Sequence, residues 1–399
     1  MKNKLYLDDI LFALIYLLGM TDTVLIGLST LGALFHPDLL SMLLRTAATA
    51  LLVVKLLLDR TYKLSTLVTM LGIGLVFLVS LVLSRYNHIF YFLLIFLGIR
   101  HVNIYRLMRV DFWAKIILYS VIVLAALTGV SENYIGSRSN GIYRYSMGFS
   151  HPNALASLTL MLILSDAWLH KRRFSGLYVG IIWLIALAVY LITVNRTSVL
   201  LMILFPFFLI PGASSSGSLH ARPVGKTMTW VSTLAFSMAA VFCVFIMFYC
   251  GNSMIARAID TLLSKRFTNA FVVFRSYGIP LIGQRVELNS VRTAFLNNQA
   301  LMLLDVAYLR MLIQGGILPV LLMAVMYTRL ARRLCREGDR YTLMLMLIMI
   351  IYGISESIFN NVYINFVFIF AAKNLYADDD TMALPLSGTI HSSSTCLGR

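Results

Sequence analysis

Acidic side chains are scarce in this chain: 17 Asp and Glu stand against 33 Lys and Arg, and only 13% of residues are charged. A soluble domain carries roughly 25% charged residues to clothe its surface, so a soluble globule is excluded. Cysteine is equally sparse, with four in all and no CxxC pair. Cys243 and Cys250 share one face of an apolar segment, Cys335 lies in a basic connection and Cys396 in the tail. The seven histidines are scattered, so neither a disulfide framework nor a metal site is supported. Period-2 alternation is missing, which argues against a barrel, and no internal repeat suggests an inverted-repeat transporter.

Apolar sequence fills the space. The chain is 59% hydrophobic, with a mean hydropathy of +0.84. Apolar runs of membrane-crossing length, roughly 15–25 residues, predict an all-α polytopic membrane protein of about twelve transmembrane helices. They fall near 10–34, 39–58, 64–83, 88–105, 112–130, 152–169, 175–193, 197–211, 228–250, 306–327, 342–359 and 361–376. Lys2 and Lys4 precede the first run, which is too long for a signal-peptide core and reads as a retained helix. The domain organisation is then a transmembrane domain over 1–376, with 251–305 as one long extramembrane loop, and a disordered tail over 377–399. The stretch from Pro211 through Ser218 reads as a flexible linker.

A net charge of +16 in a soluble protein would suggest nucleic acid, but here the position of the basic residues decides, and no nucleic-acid partner is expected. Alternate connections are rich in Lys and Arg: Lys2/Lys4, Arg60/Lys63, Arg100/Arg106/Arg109, Lys171/Arg172/Arg173, Arg222/Lys226, Arg329 through Arg340, and Lys373. The other short connections hold only Arg85, Arg138, Arg144 and Arg196, which puts both termini in the cytoplasm and the long loop outside. That loop carries Arg257, Lys265, Arg266, Arg275, Arg285 and Arg292 against Asp260, Glu287 and Asp305. Such an excess of cations outside the membrane calls for an anionic ligand.

Charges inside apolar runs cost about 2.5–3.5 kcal/mol each. Asp22 and Arg45 are expected to pair as structural glue, and Lys55 to snorkel to the cytoplasmic side. Glu356, near the outer end of its span, either orients an arginine or sits in headgroup water. In the outer connection before the sixth span, Pro152 suits a first helical turn, His151 a cap and Asn153 the turn itself. Arg196, in a very short turn, either snorkels to lipid phosphate or points at a bound pyrophosphate. Asp305 precedes an apolar helix and reads as an N-cap or as a base at a helix mouth.

Four stretches together resemble the Wzy-type bacterial polysaccharide polymerases of the O-antigen ligase/polymerase superfamily. Gly148-Phe-Ser-His151-Pro152-Asn153 looks like their GFxHPN element, and Asn195-Arg196-Thr-Ser resembles a serine/arginine turn. Leu263-Ser-Lys-Arg266-Phe with Arg275-Ser-Tyr-Gly278-Ile-Pro-Leu-Ile-Gly283 is similar to the loop of streptococcal-type capsule polymerases. Asp305-x-x-Tyr308-Leu309 followed by Gly315-Gly316-Ile looks like the start of the helix beyond that loop. The likeness runs in order from about 130 to 376; Lys265 departs from it, standing where a small residue is usual, as does the lack of a loop histidine.

The resemblance implies a GT-C-like, metal-independent, inverting glycosyltransferase with no cofactor at the outer face of the bacterial cytoplasmic membrane. Its substrates would be undecaprenyl-pyrophosphate-linked oligosaccharides, joined into capsular or surface polysaccharide among membrane lipids, with flippase and chain-length regulator proteins as partners. Asp305 would be the catalytic base and Arg266 and Arg196 the pyrophosphate ligands. Arg144, His151, Asn153, Arg275, Arg285 and Glu356 would contact substrate or support those that do. A flippase or permease of lipid-linked saccharides and an O-antigen ligase-like transferase remain the competing expectations.

Overall fold

The computed structural model describes residues 2–59, 62–137, 141–170, 175–213, 224–289 and 301–376. The expected tail over 377–399, most of the linker, and Arg60, Arg138, Lys171, Arg172, Arg173, Arg222 and Arg292 lie outside the described residues.

Helix follows helix for most of the chain. In order they are α1 (Lys2–Met20), α2 (Pro37–Leu58), α3 (Leu64–Ser84), α4 (Asn87–Gly98), α5 (Ile104–Leu127), α6 (Pro152–His170), α7 (Gly176–Thr193) and α8 (Arg196–Ala213). After them come α9 (Lys226–Tyr249), α10 (Met254–Leu262), α11 (Arg266–Tyr277), α12 (Ala307–Arg310), α13 (Ile317–Glu337), α14 (Arg340–Gly353) and α15 (Val367–Asn374). A wide π-type turn, Thr21–Gly27, extends α1.

Seven helices among the described residues are long and apolar enough to cross a membrane: Leu7–Gly27, α2, α3, α5, α6, α7 and α9. Three shorter apolar helices accompany them: α4, Arg196–Phe207 of α8, and α14. This is a largely helical, membrane-embedded protein. Its outer helices present large apolar side chains outward, as Leu71, Leu75 and Val82 do on α3, because lipid rather than water faces them. The shorter α4 sits inside, burying Ile89, Tyr91, Phe92, Leu94, Ile95 and Phe96.

One departure from an all-helical chain lies between α5 and α6. There β1 (Ile135–Ser137) and β2 (Tyr143–Tyr145) pair antiparallel, with Gly136 opposite Arg144. Strand alternation exposes Tyr143 and Tyr145 and turns Arg144 inward.

Connections gather at two ends of the bundle. At one end Asp59 pairs with Arg100 at 2.9 Å and Asp9 with Arg106 at 2.9 Å. Lys55 corrects an expectation here. It does not snorkel; it is buried, donating to the Arg100 carbonyl at 3.0 Å and lying 3.4 Å from Asp8, because a carboxylate and a carbonyl inside replace water. Asp22 does pair with Arg45, at 2.7 Å, and also accepts from Ser41 and Tyr91. Cys243 and Cys250 are both buried.

At the other end the segment expected as a loop folds into α10 and α11. Asp260 of α10 ties the two together by accepting from the backbone N–H groups of Phe267 and Thr268, at 2.8 and 3.3 Å, in the first turn of α11. Phe267, Ala270 and Val273 anchor α11 in the core. The turn between them places Ser264 and Lys265 at φ of 61° and 59°, the left-handed region, which is why a small residue would be easier at Lys265. Beyond α11 the chain runs extended to a glycine contact. Gly316 has φ 98°, and a Cβ there would lie 2.6 Å from the Gly283 nitrogen. The Gly315 carbonyl accepts from Gly283 N–H at 2.7 Å and from Ser80 at 2.6 Å, so the break between α12 and α13 is fastened to α3.

Candidate functional site

At this end, five elements converge on Glu356, just beyond α14. Arg266, the first residue of α11, donates from Nη2 to Glu356 Oε1 at 2.9 Å. Both side chains are largely buried, and Arg266 Nη1 is buried with no hydrogen-bond partner among the described residues. Asn153, in the first turn of α6, approaches the same oxygen at 3.5 Å. Asn195, between α7 and α8, brings its side chain close to Glu356.

Arg144 closes the network from the strand side. It donates to Asn153 Oδ1 at 2.5 Å and to the Thr193 carbonyl at 2.7 Å. Beneath Glu356, the buried Tyr352 hydroxyl meets Ser157 of α6 at 2.5 Å and Ser198 of α8 at 3.3 Å. These bonds fix three helices around the carboxylate, and an aspect of that rigidity is costly. Val194 holds φ 50° although it is β-branched, a strained conformation that presents Asn195 at the turn.

The Gly148–Asn153 stretch is shaped by the same demand. Gly148 takes φ 84°, and a Cβ there would stand 2.6 Å from the Ile122 carbonyl oxygen. His151 then caps α6, its Nδ1 accepting the Asn153 N–H at 3.1 Å. The imidazole is open to solvent on one side, yet surrounding protein strips enough water from it to push its pKa down to about 4, with the charge of Arg144 adding to the effect. It is therefore neutral near pH 7. With Nδ1 accepting, the remaining proton sits on Nε2, so the ring is a hydrogen-bond donor toward solvent.

Asp305 lies beside this network without joining it. Its charge acts on His151, Arg266 and Glu356, but its half-buried carboxylate makes no hydrogen bond or ion pair among the described residues. It is not an N-cap: α12 begins at Ala307 with Val306 in the cap position, so the carboxylate is one residue too early to reach the helix N–H groups.

The structure thus brings together Arg144, His151, Asn153, Arg266, Glu356 and Asp305. Arg196 is on the exposed first turn of α8, and it is its neighbour Asn195 that faces Glu356. Arg275 is exposed and stacks over Phe271 at 5.7 Å. Arg285 is exposed too, 3.5 Å from Glu287. Sequence reasoning missed Asn195, Ser157, Ser198 and Tyr352, whose only signal was polarity within otherwise apolar runs. Among the described residues, no group of three or more His, Cys, Asp or Glu could hold a metal ion.

Chemically, the arrangement offers a buried guanidinium with a spare donor, a donor imidazole and an uncommitted carboxylate. No family of proteins, no curated protein and no solved structure matches this chain.

Proposed function

We propose that this protein is a membrane glycosyltransferase that polymerises undecaprenyl-pyrophosphate-linked oligosaccharide repeat units. It works at the outer face of the bacterial cytoplasmic membrane, with about twelve spans and both termini inside. One observation carries the reading: among the described residues Asp305 is an unpaired carboxylate whose charge acts on Arg266, and Arg266 Nη1 is buried and unsatisfied. A base and a pyrophosphate ligand are the two things this transfer needs.

In the proposed reaction, a hydroxyl oxygen of the acceptor saccharide attacks the anomeric carbon of the donor saccharide. The bond from that carbon to the pyrophosphate oxygen breaks, its electron pair leaves with the pyrophosphate, and configuration inverts. Asp305 accepts the hydroxyl proton as the new glycosidic bond forms. Arg266 stabilises the departing charge through Nη1 while Glu356 holds its other end, and His151 donates from Nε2 to a phosphate or sugar oxygen. Arg144 holds Asn153 and the Thr193 carbonyl, so it positions the site rather than binding the leaving group.

Deleting the gene and sizing the lipid-linked saccharides tests the reading. Single repeat units should accumulate on the outer leaflet. Accumulation on the inner leaflet would instead identify a flippase, and unchanged polymer would overturn both.

A further inference from the structure

Away from the Glu356 network, a cavity of about 430 Å³ opens between the α3–α4 corner, the extended segment 285–288 and α12. Its lining includes Arg85, His88, Arg285, Arg310 and Gln314. Cation excess is its main property. Among the described residues Arg85 forms no ion pair and Arg310 bonds only to Gln314 at 3.0 Å and Ser357 at 3.4 Å, while stacking over Tyr86 at 5.2 Å. Among the described residues Arg285 has one carboxylate neighbour, the exposed Glu287.

Two further features suit an anion. The cavity lies at the N-terminus of α4, where Tyr86 in the cap position supplies no side-chain acceptor for the first N–H groups. His88 Nδ1, at the same corner, is buried with no hydrogen-bond partner among the described residues. Arg85 itself holds φ 52°, a left-handed conformation that an arginine adopts only under constraint.

We infer that this cavity binds a pyrophosphate or phosphate group, and that the group is carried on a lipid. The exposed residues Leu71, Leu75, Leu78 and Val82 form one stripe along α3 that leads up to Arg85, an apolar track on which a prenyl or acyl chain can lie. Resting on the transferase reading, this is the berth of the second lipid-linked substrate. Polymerisation needs two such substrates at once, and the Arg266 cluster serves only the one that loses its pyrophosphate. Ser357 links the two sites, since it touches Arg310 and directly follows Glu356.

The test uses the purified full chain in detergent, with farnesyl pyrophosphate, farnesol and inorganic pyrophosphate as probes in equilibrium binding. Farnesyl pyrophosphate should occupy two sites, and the Arg85→Gln/Arg285→Gln variant should weaken one of them at least tenfold. Both arginines are exposed, so this variant keeps the fold; Arg310→Gln, which unstacks Tyr86, serves as a second variant. Competition by inorganic pyrophosphate as strong as by the prenyl compound would move the assignment from a lipid to a free anion. Parental binding in the arginine variants, or farnesol binding as tightly as its pyrophosphate, would overturn the cavity as an anion site. Arg266→Gln separates the two readings: if it alone leaves binding untouched, the transferase site fails while this cavity stands.

Discussion

Asp305 and Glu356 are close enough for each charge to act on the other, yet only Glu356 is spoken for. Glu356 accepts from Arg266 at 2.9 Å and is flanked by Asn153 and Asn195, whereas among the described residues Asp305 has no such partner. A carboxylate locked to a guanidinium is a poor proton acceptor, and one without a partner is free to take a proton. The pair therefore divides into a holder and a base.

Asp305→Asn tests that division. The substitution keeps volume, and no helix cap is lost because Val306 occupies that position. Polymer formation in a purified assay should fall on the order of 10²–10⁴-fold with thermal stability unchanged. Near-parental polymer would remove Asp305 from the chemistry.

The Arg266–Glu356 pair should be coupled. A double-mutant cycle over Arg266→Ala and Glu356→Gln should return an interaction of about 0.5–3 kcal/mol in denaturation, since each single change strands a largely buried partner. Additive effects would reduce the contact to coincidence. Arg266→Lys should retain the fold but lose most polymer, because an ammonium cannot grip Glu356 and a phosphate with one planar fork.

His151 predicts a pH signature. Its pKa in the folded state, about 4, lies below the ordinary histidine value of 6.5, so the fold binds the neutral ring. The stability this contributes is fully present above pH 6.5 and is lost as pH falls toward 4. Melting temperatures of the parent and His151→Gln should keep a constant offset above pH 7 and converge on acidification. An offset that widened with acid would reverse the sign.

Gly148→Ala should destabilise by more than a surface change. Strain at positive φ alone costs on the order of 1–3 kcal/mol, and the new methyl would press on the Ile122 carbonyl. Folded yield from the membrane should drop; a yield equal to the parent's would show that the backbone can relax.

Sidedness can be read with thiols. In a Cys396→Ser background the other three cysteines are buried. Ser276→Cys on α11 should then react with an impermeant reagent in intact cells, and Arg336→Cys at the end of α13 should not. The opposite result would invert the membrane orientation.

Much of this was visible in the chain itself. Long apolar runs with sparse charge specify membrane helices, and the surplus of arginines over 251–305 flags the group that contains Arg266, while only the resemblance singles Arg266 out within it. Three things were not legible. Asn195 and Arg196 are neighbours, and sequence cannot say which of two residues at a tight turn faces inward; the strained backbone of Val194 decides it. Lys55 is indistinguishable from a snorkelling lysine until Asp8 and the Arg100 carbonyl are seen to meet it. The segment 251–305 looked like a loop because α10 and α11 are short and mixed in polarity. Their helicity rests on Asp260 and on burial of Phe267, which are tertiary facts.

Arg266 and Glu356 are 90 positions apart. A chain that enters the bilayer from its N-terminus presents α11 well before α14 exists, so the Arg266 guanidinium must wait, hydrated, for its partner. Closure of the cluster is accordingly a late step of biogenesis. A nascent chain stalled before residue 356 would carry its helices in the membrane and an open, uncompensated arginine above them.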